Sequence, residues 1–287
     1  MRIKSKKLYL NRSRGGNVAM FLFLLVFGAF MVLPMVYAIS SSLKPLDELW
    51  MFPPKFFVQN PTLKNFSDLF SLMSDSWVPF SRYLFNTIMI SVIGTTGHVI
   101  LSSLCAYALA KHKFPGKNFM FQTIVLSLMF SSAVTLIPNF IILSKLRLTD
   151  THLALILPAF CSSLGLYLMK QFMETMVPDT ILESARLDGC SEWQTFWKIV
   201  MHMVKPAWLT LVIFSFQGLW NSGSNILIQS EHLKTLNYAL AQIVSGGIAR
   251  AGAAAAATVV MMTVPIVIFV ITQSNIVETI ATSGMKD

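Results

Sequence analysis

The sequence predicts an all-α integral membrane protein of six transmembrane helices, with both termini in the cytosol. Three observations carry the prediction. Charged residues are scarce, they are confined to the gaps between six long stretches, and the cations among them are unevenly divided between the two sides. Hydrophobic residues make up 54% of the 287, charged residues 12%, and the mean hydropathy is +0.63, whereas a soluble domain carries about 25% charged residues. All 22 Lys and Arg and all 13 Asp and Glu lie outside the stretches 15–43, 83–110, 118–144, 151–169, 206–230 and 251–277. The shortest of these has 19 residues. A hydrocarbon core about 30 Å thick takes about 20 residues of helix, and helix satisfies every backbone N–H and C=O within the segment. One such stretch could be a buried soluble helix; six in one chain could not.

Cation placement orients the bundle. With the N-terminus inside, inner segments hold 14 of the Lys and Arg and outer segments 8, while acids divide 7 to 6. Arg2, Lys4, Lys6, Lys7, Arg12 and Arg14 open the chain without an acid, and Lys111, Lys113 and Lys117 mark the second inner connector. The pI of 9.6 is therefore a topology signal and implies the lipid bilayer, not nucleic acid, as partner.

The first element reads as an uncleaved span over about 18–40. Its charge-free run of 29 residues exceeds the roughly 7–15 apolar residues of a signal peptide, although Ala38-Ile39-Ser40 resembles a weak cleavage site. Further spans follow at about 85–110, 118–143, 152–169, 206–228 and 253–275, making one transmembrane domain of residues 1–287. The outer segment 41–82 is broken by Pro45, Pro53, Pro54, Pro61 and Pro79. The tryptophans Trp50, Trp77, Trp193, Trp197, Trp208 and Trp220 fall near span ends and suit an aromatic belt. Ser102, Ala106 and Ala110, like Ala253 and Ala257, repeat every four residues and allow close helix approach. The three cysteines form no C-x-x-C pair, and the five histidines show no H-E-x-x-H spacing, so neither a disulfide framework nor a metal site is suggested.

The inner segment 170–205 differs from the other connectors, being long, amphipathic and of mixed charge. Thr180-Ile181-Leu182-Glu183 after Pro178 has the pattern of a capping box opening a short helix, and Gly189 is placed to end it with a left-handed turn. Ser191-Glu192-Trp193-Gln194 repeats the pattern and opens a second helix that leads to Pro206. It sets Trp193, Phe196, Trp197, Val200, Met201 and Val204 on one face. A two-turn helix is not stable alone, so the first of the pair is expected to be held by something else.

Glu183-Ser184-Ala185, then Gly189, then Ile199 resembles the EAA loop of the permeases of ABC importers. Ser42-Leu43-Lys44-Pro45, Phe52-Pro53-Pro54-Lys55, Asn60-Pro61-Thr62-Leu63, Ala106-Tyr107-Ala108-Leu109-Ala110, Phe114-Pro115-Gly116 and Arg186-Leu187-Asp188-Gly189 are similar to the carbohydrate-importer, maltose-type branch, in the same order. The resemblance implies a type I importer fold with a coupling loop at 170–205, in which Glu183, Ser184, Ala185, Asp188 and Gly189 meet a separate ATPase. It further implies a second related permease, two cytosolic ATPase subunits and an extracytoplasmic solute-binding protein, in a bacterial cytoplasmic membrane. Ser184 stands where that family has a second Ala, Met201-His202 where it has Leu-Pro, and Ser222 where an acid often follows Trp-Asn.

No G-x-x-x-x-G-K-[ST] occurs, so the chain is expected to hold no cofactor itself, with ATP and Mg²⁺ on the partner ATPase. The alternative is a self-contained secondary transporter or channel for a neutral polar solute. Ion coupling calls for intramembrane charges, and the spans contain none, only His98. A membrane-embedded enzyme lacks a clustered nucleophile, base or metal ligand set. The expectation is a transport subunit, not an enzyme, that passes a di- or oligosaccharide. The candidate path-lining residues are Ser131, Thr135, Ser162, Gln217 and Asn221, with Ser132, Ser163, Ser224 and Asn225 beside them. Residue by residue, a helix–helix hydrogen bond or a helix cap is the more common role for such groups.

Overall fold

A computed structural model describes residues 14–74, 77–223 and 226–283. The cations Arg2, Lys4, Lys6, Lys7 and Arg12, and the polar pair Ser224 and Asn225, lie outside the described residues. Among those described, regular structure is all helical. The principal helices are α1 (Arg14–Ser42), α2 (Lys64–Ser74), α3 (Phe80–Lys111), α4 (Lys117–Ser127), α5 (Ser132–Lys145) and α6 (Leu153–Phe160). These are followed by α7 (Ser163–Met176), α8 (Asp179–Leu187), α9 (Glu192–Met203), α10 (Lys205–Trp220), α11 (Leu236–Val244) and α12 (Ala251–Ser283).

Exposure runs opposite to that of a soluble protein. Leu22, Phe23, Leu24 and Phe30 on α1 and Ile271 on α12 face outward, while Asn86, Thr87, Ser91, His98, Ser102 and Ser103 of α3 are buried. A contiguous apolar exterior of this extent needs an apolar solvent. By length and composition four helical rods among the described residues can cross a bilayer: α1, α3, α6 with α7, and α12. The bent pair α9–α10 is a fifth if counted as one broken span.

Helix α3 is the centre of the bundle, contacting α6, α7 and α10. Its small residues permit this: Ser102 and Ala106 are buried, and a Cβ on Gly94 or Gly97 would overlap Leu219 or Phe160. The spacing that predicts close approach at Ala253 and Ala257 also ends in burial, against a core that includes Trp220, Leu236 and Leu240.

Several spans are not the single rods expected. The stretch 118–143 is two helices. Leu128, Met129 and Phe130 bond three residues back, to Val125, Leu126 and Ser127, which tightens and ends the turn. Ser131 is extended, at φ −72° and ψ 154°, before the helix restarts. The fourth span breaks at Cys161 and Ser162 and then runs on to Met176, past the end of its charge-free run at 169. Lys170 is buried within it, its ammonium 2.8 Å from Glu174 and 3.8 Å from the Phe121 ring centroid. The fifth ends at Trp220, short of 228, and meets α9 at an 80° bend. Pro206 causes that bend, because it offers no N–H to the His202 carbonyl.

The tryptophan belt also needs correction. Trp220 is buried, and its indole N–H donates to the Met261 carbonyl at 3.1 Å. That carbonyl would otherwise bond the N–H four residues on, which Pro265 lacks. Trp208 similarly donates to the Met201 carbonyl beside the bend. Trp77 and Trp50 stay exposed.

At the end of the bundle where α3 begins, long-range hydrogen bonds fasten the connectors. The Asn86 amide donates to the carbonyls of His232 and Lys234, and the Leu236 N–H donates to Thr87 Oγ1. Asp150, at φ 60°, accepts from the backbone N–H groups of Gln229 and Ser230 and from the Ser230 hydroxyl. Asn65 of α2 donates to the carbonyls of Ser42 and Lys44 and so closes the end of α1.

Candidate functional site: the α8–α9 segment

The segment lies at the other end of the bundle, where α3 finishes. Helix α8 starts at Asp179, with extended Pro178 as N-cap and no side-chain cap. The capping box expected at Thr180 is therefore not formed. Thr180 is already inside the helix, and its carbonyl accepts the Ser184 hydroxyl. The end of α8 is as expected. Gly189 has φ +79°, its N–H donates to Arg186, and the Cys190 N–H donates to Ala185. These two bonds are the paired 5→2 and 6→1 closures of a Schellman turn. Ser191 then forms the expected capping box with Gln194, with both reciprocal bonds present.

Burial divides the predicted docking residues. Leu182 and Ala185 point into the bundle, whereas Glu183, Ser184, Asp188 and Gly189 are exposed. Leu187, part of the family motif but not among the docking candidates, is 89% exposed at the tip of α8. The inward face of α9 is Phe196, Val200 and Val204, all fully buried, with Trp193 swung outward. A π turn over Phe196–Val200 accounts for the departure from the 3.6-residue face, since the wider turn shifts the register. Leu182, Phe196 and Val200 share one core with Tyr107 of α3, Met169 and Met173 of α7, and Leu211 of α10. A displacement of α8 therefore meets packed side chains from three spanning elements.

Polar ties reinforce that contact. The Glu192 carboxylate accepts from the Tyr107 hydroxyl at 2.8 Å and from Arg186 Nε at 2.9 Å, with His112 Nε2 at 3.7 Å. Lys111 reaches Asp179 at 2.8 Å. The Tyr107 and Arg186 hydrogen bonds hold the Glu192 carboxyl below its usual range, and Lys111 does the same for Asp179. Glu192, Tyr107, Lys111 and Arg186 were not among the sequence candidates. Only the opposite charges at the two connectors hinted at them.

The path-lining candidates do not converge within this chain. Ser131 is exposed at the break between α4 and α5, and Thr135 lines a cleft with Asn139, Pro158 and Ile226. Gln217 faces a second cleft beside Pro265 and Phe269. Asn221 donates to the Gln217 carbonyl and accepts from Asn237, acting as the end of α10. Ser162 caps α7 by accepting the Gly165 N–H, and lines a cavity of about 310 Å³ between α3, α7 and α10. Beside it, Ser163 is bound to Ser127.

Comparison with known proteins finds likeness over most of the chain. Residues 98–280 match the family model described as "Binding-protein-dependent transport system inner membrane component". Protein LplC of Bacillus subtilis is 33% identical over 74% of this chain and 69% of its own. The arabinooligosaccharides transport system permease protein AraQ of Halalkalibacterium halodurans is 29% identical over 89% of this chain and 91% of its own. The sn-glycerol-3-phosphate transport system permease protein UgpE of Yersinia enterocolitica is 30% identical over 69% and 71%. Among solved structures, a chain of a bacterial ABC transporter involved in the import of the acidic polysaccharide alginate superposes with TM-score 0.76 at 20% identity. That match covers 94% of this chain and 99% of the other.

Proposed function

The chain belongs to the inner membrane components of binding-protein-dependent transport systems, and we propose that it is the permease subunit of an ABC importer for a di- or oligosaccharide. The observation that carries the mechanism is the construction of α8. One face is locked into the core through Leu182 and Ala185, while the other presents Glu183, Ser184 and Leu187 to a partner. In this reading the chain crosses a bacterial cytoplasmic membrane six times with both ends in the cytosol. The halves α4 and α5 make up the third crossing, and α8 lies on the cytosolic side. Two ATPase subunits hold ATP and Mg²⁺. Closure of the ATPases pushes α8, and the packed core with the Glu192 and Asp179 ties passes the motion to α3, α7 and α10. A second permease completes the path. A solute-binding protein delivers the sugar at the opposite end, near 41–82 and 231–250.

The name of the Halalkalibacterium halodurans relative, an arabinooligosaccharides transport system permease protein matched over 89% of this chain, supports the substrate class. The scarcity of intramembrane charge supports a path powered from outside the chain.

The test is co-purification of the tagged chain from its native membrane, with mass spectrometry of what accompanies it. An ATPase and a second permease are expected. The ATPase should be lost on combining Glu183→Lys with Gly189→Pro, while the second permease stays. A lone chain that transports a solute without ATP would overturn the proposal.

A further inference from the structure

The cavity between α3, α7 and α10 contains a polar group that neither the fold nor the coupling mechanism uses. His98 is 4% exposed, at mid-length of α3, and its Nε2 has no hydrogen-bond partner. Unsatisfied buried nitrogens are rare and costly. The imidazole reaches the cavity across the start of α7, where Gly165 leaves room for it. A Cβ there would overlap Nε2. Ser162 and Ser215 add two hydroxyls, and the rest of the wall, which includes Leu168, Leu211 and Phe214, is apolar. No Asp, Glu, Lys or Arg lines the space.

An apolar wall with a few fixed polar groups is the usual form of a small-molecule pocket, and 310 Å³ is near the lower limit of such pockets. This volume suits one ring, not an entire oligosaccharide. With no Lys or Arg in the lining, a carboxylate or phosphate would find no countercharge, so the lining favours a neutral solute. An aromatic face beside hydroxyls and an imidazole suits a sugar ring, which has apolar C–H faces and a polar rim. On α3, Ser91 and Thr95 precede His98 on the same face with hydroxyls that are also unpartnered.

We propose that this cavity is a solute subsite within this chain, in which His98 Nε2 hydrogen-bonds a hydroxyl of one neutral sugar ring packed against Phe214. The proposal rests on the import reading above and adds to it a residue and a preference. The subsite takes a neutral ring and rejects an acidic one.

The test uses the assembled importer, both permeases with the ATPases, in proteoliposomes supplied with its binding protein. Uptake of radiolabelled arabinotriose, maltotriose and trigalacturonate is measured across a concentration range. A neutral probe is expected to enter the wild-type vesicles with ATP. His98→Leu should raise its KM about tenfold, the loss of one well-made hydrogen bond to solute. His98→Gln, which keeps a donor and an acceptor, should recover most of that loss. Gly165→Ala, whose methyl displaces the imidazole, should behave like His98→Leu. The subsite is overturned if His98→Leu leaves KM within about twofold of wild type, or if His98→Gln is as impaired as His98→Leu. Trigalacturonate entering better than the neutral probes overturns the preference. ATP hydrolysis without uptake of any saccharide sinks the import reading, and the subsite with it.

Discussion

At the scale of single residues, Glu192 joins the α8–α9 segment to the membrane bundle through two hydrogen bonds from opposite directions. Charged hydrogen bonds contribute about 1.5–3 kcal/mol when shielded. The Glu192 side chain is 49% exposed, so about 1 kcal/mol is the fair expectation here. Its carboxyl is held below the ordinary value of 4.5, first by the Tyr107 hydroxyl. A depressed acid stabilises the fold above its unfolded value, and that contribution is lost as pH falls through the lower folded value. Glu192→Gln should therefore lower the melting temperature at neutral pH and flatten the decline between about pH 5 and about pH 3. Thermal melting of the detergent-purified protein across that range checks it. A decline as steep in the variant as in wild type would show that other acids carry it.

The sequence shows part of this site and hides the rest, for a physical reason. Gly189 and Ser191 are legible because a turn and a cap depend on atoms a few residues apart. The Thr180 box does not form because Pro178 takes the N-cap place two residues earlier. Tyr107 and Glu192 are 85 residues apart in the chain, and their contact exists only after α3 and α9 pack.

Whole elements show the same division. Hydropathy locates α1, α3 and α12 because a span is set by solvent along its entire length. It misses the breaks at Leu128–Ser131 and at Cys161–Ser162, where composition stays apolar and only the local hydrogen bonding changes. It also misses α11, whose buried Leu236, Leu240 and Ile243 are too few for a membrane signal. Between elements, Pro265 and Trp220 form a compensating pair. The proline deprives the Met261 carbonyl of its helical donor, and the indole of α10 replaces it. Trp220→Phe keeps most of the ring but orphans that buried carbonyl, at about 1–3 kcal/mol. Pro265→Ala restores an N–H to α12 and should recover much of the loss. A melting series of wild type, both single variants and the double variant measures the coupling. Strictly additive effects would mean that the indole does not stand in for the missing N–H.

At the scale of the whole molecule, in the proposed importer a bundle with few charges in its spans receives its energy at one end and its solute at the other. The two ends are already distinguished in structure. Leu187 projects from α8 beside the finish of α3, and Trp77, 98% exposed, precedes its start. A helix of 32 residues separates them, about 48 Å at 1.5 Å per residue, which is more than the bilayer's hydrocarbon core. The proposed orientation, in which inner segments hold 14 of the Lys and Arg and outer ones 8, has the Leu187 end in the cytosol. After replacement of Cys105, Cys161 and Cys190 by alanine, Leu187→Cys should react with a membrane-impermeant maleimide only in inverted vesicles. Trp77→Cys should react only in right-side-out ones. The ATPase subunits, added back to inverted vesicles stripped of them, should protect Leu187→Cys, because a coupling helix seated in a partner is covered. Trp77→Cys should be indifferent to them. Labelling of both cysteines from the same side would place an even number of crossings between them and refute the orientation. Labelling from opposite sides without ATPase protection would keep the topology and move the docking surface away from α8.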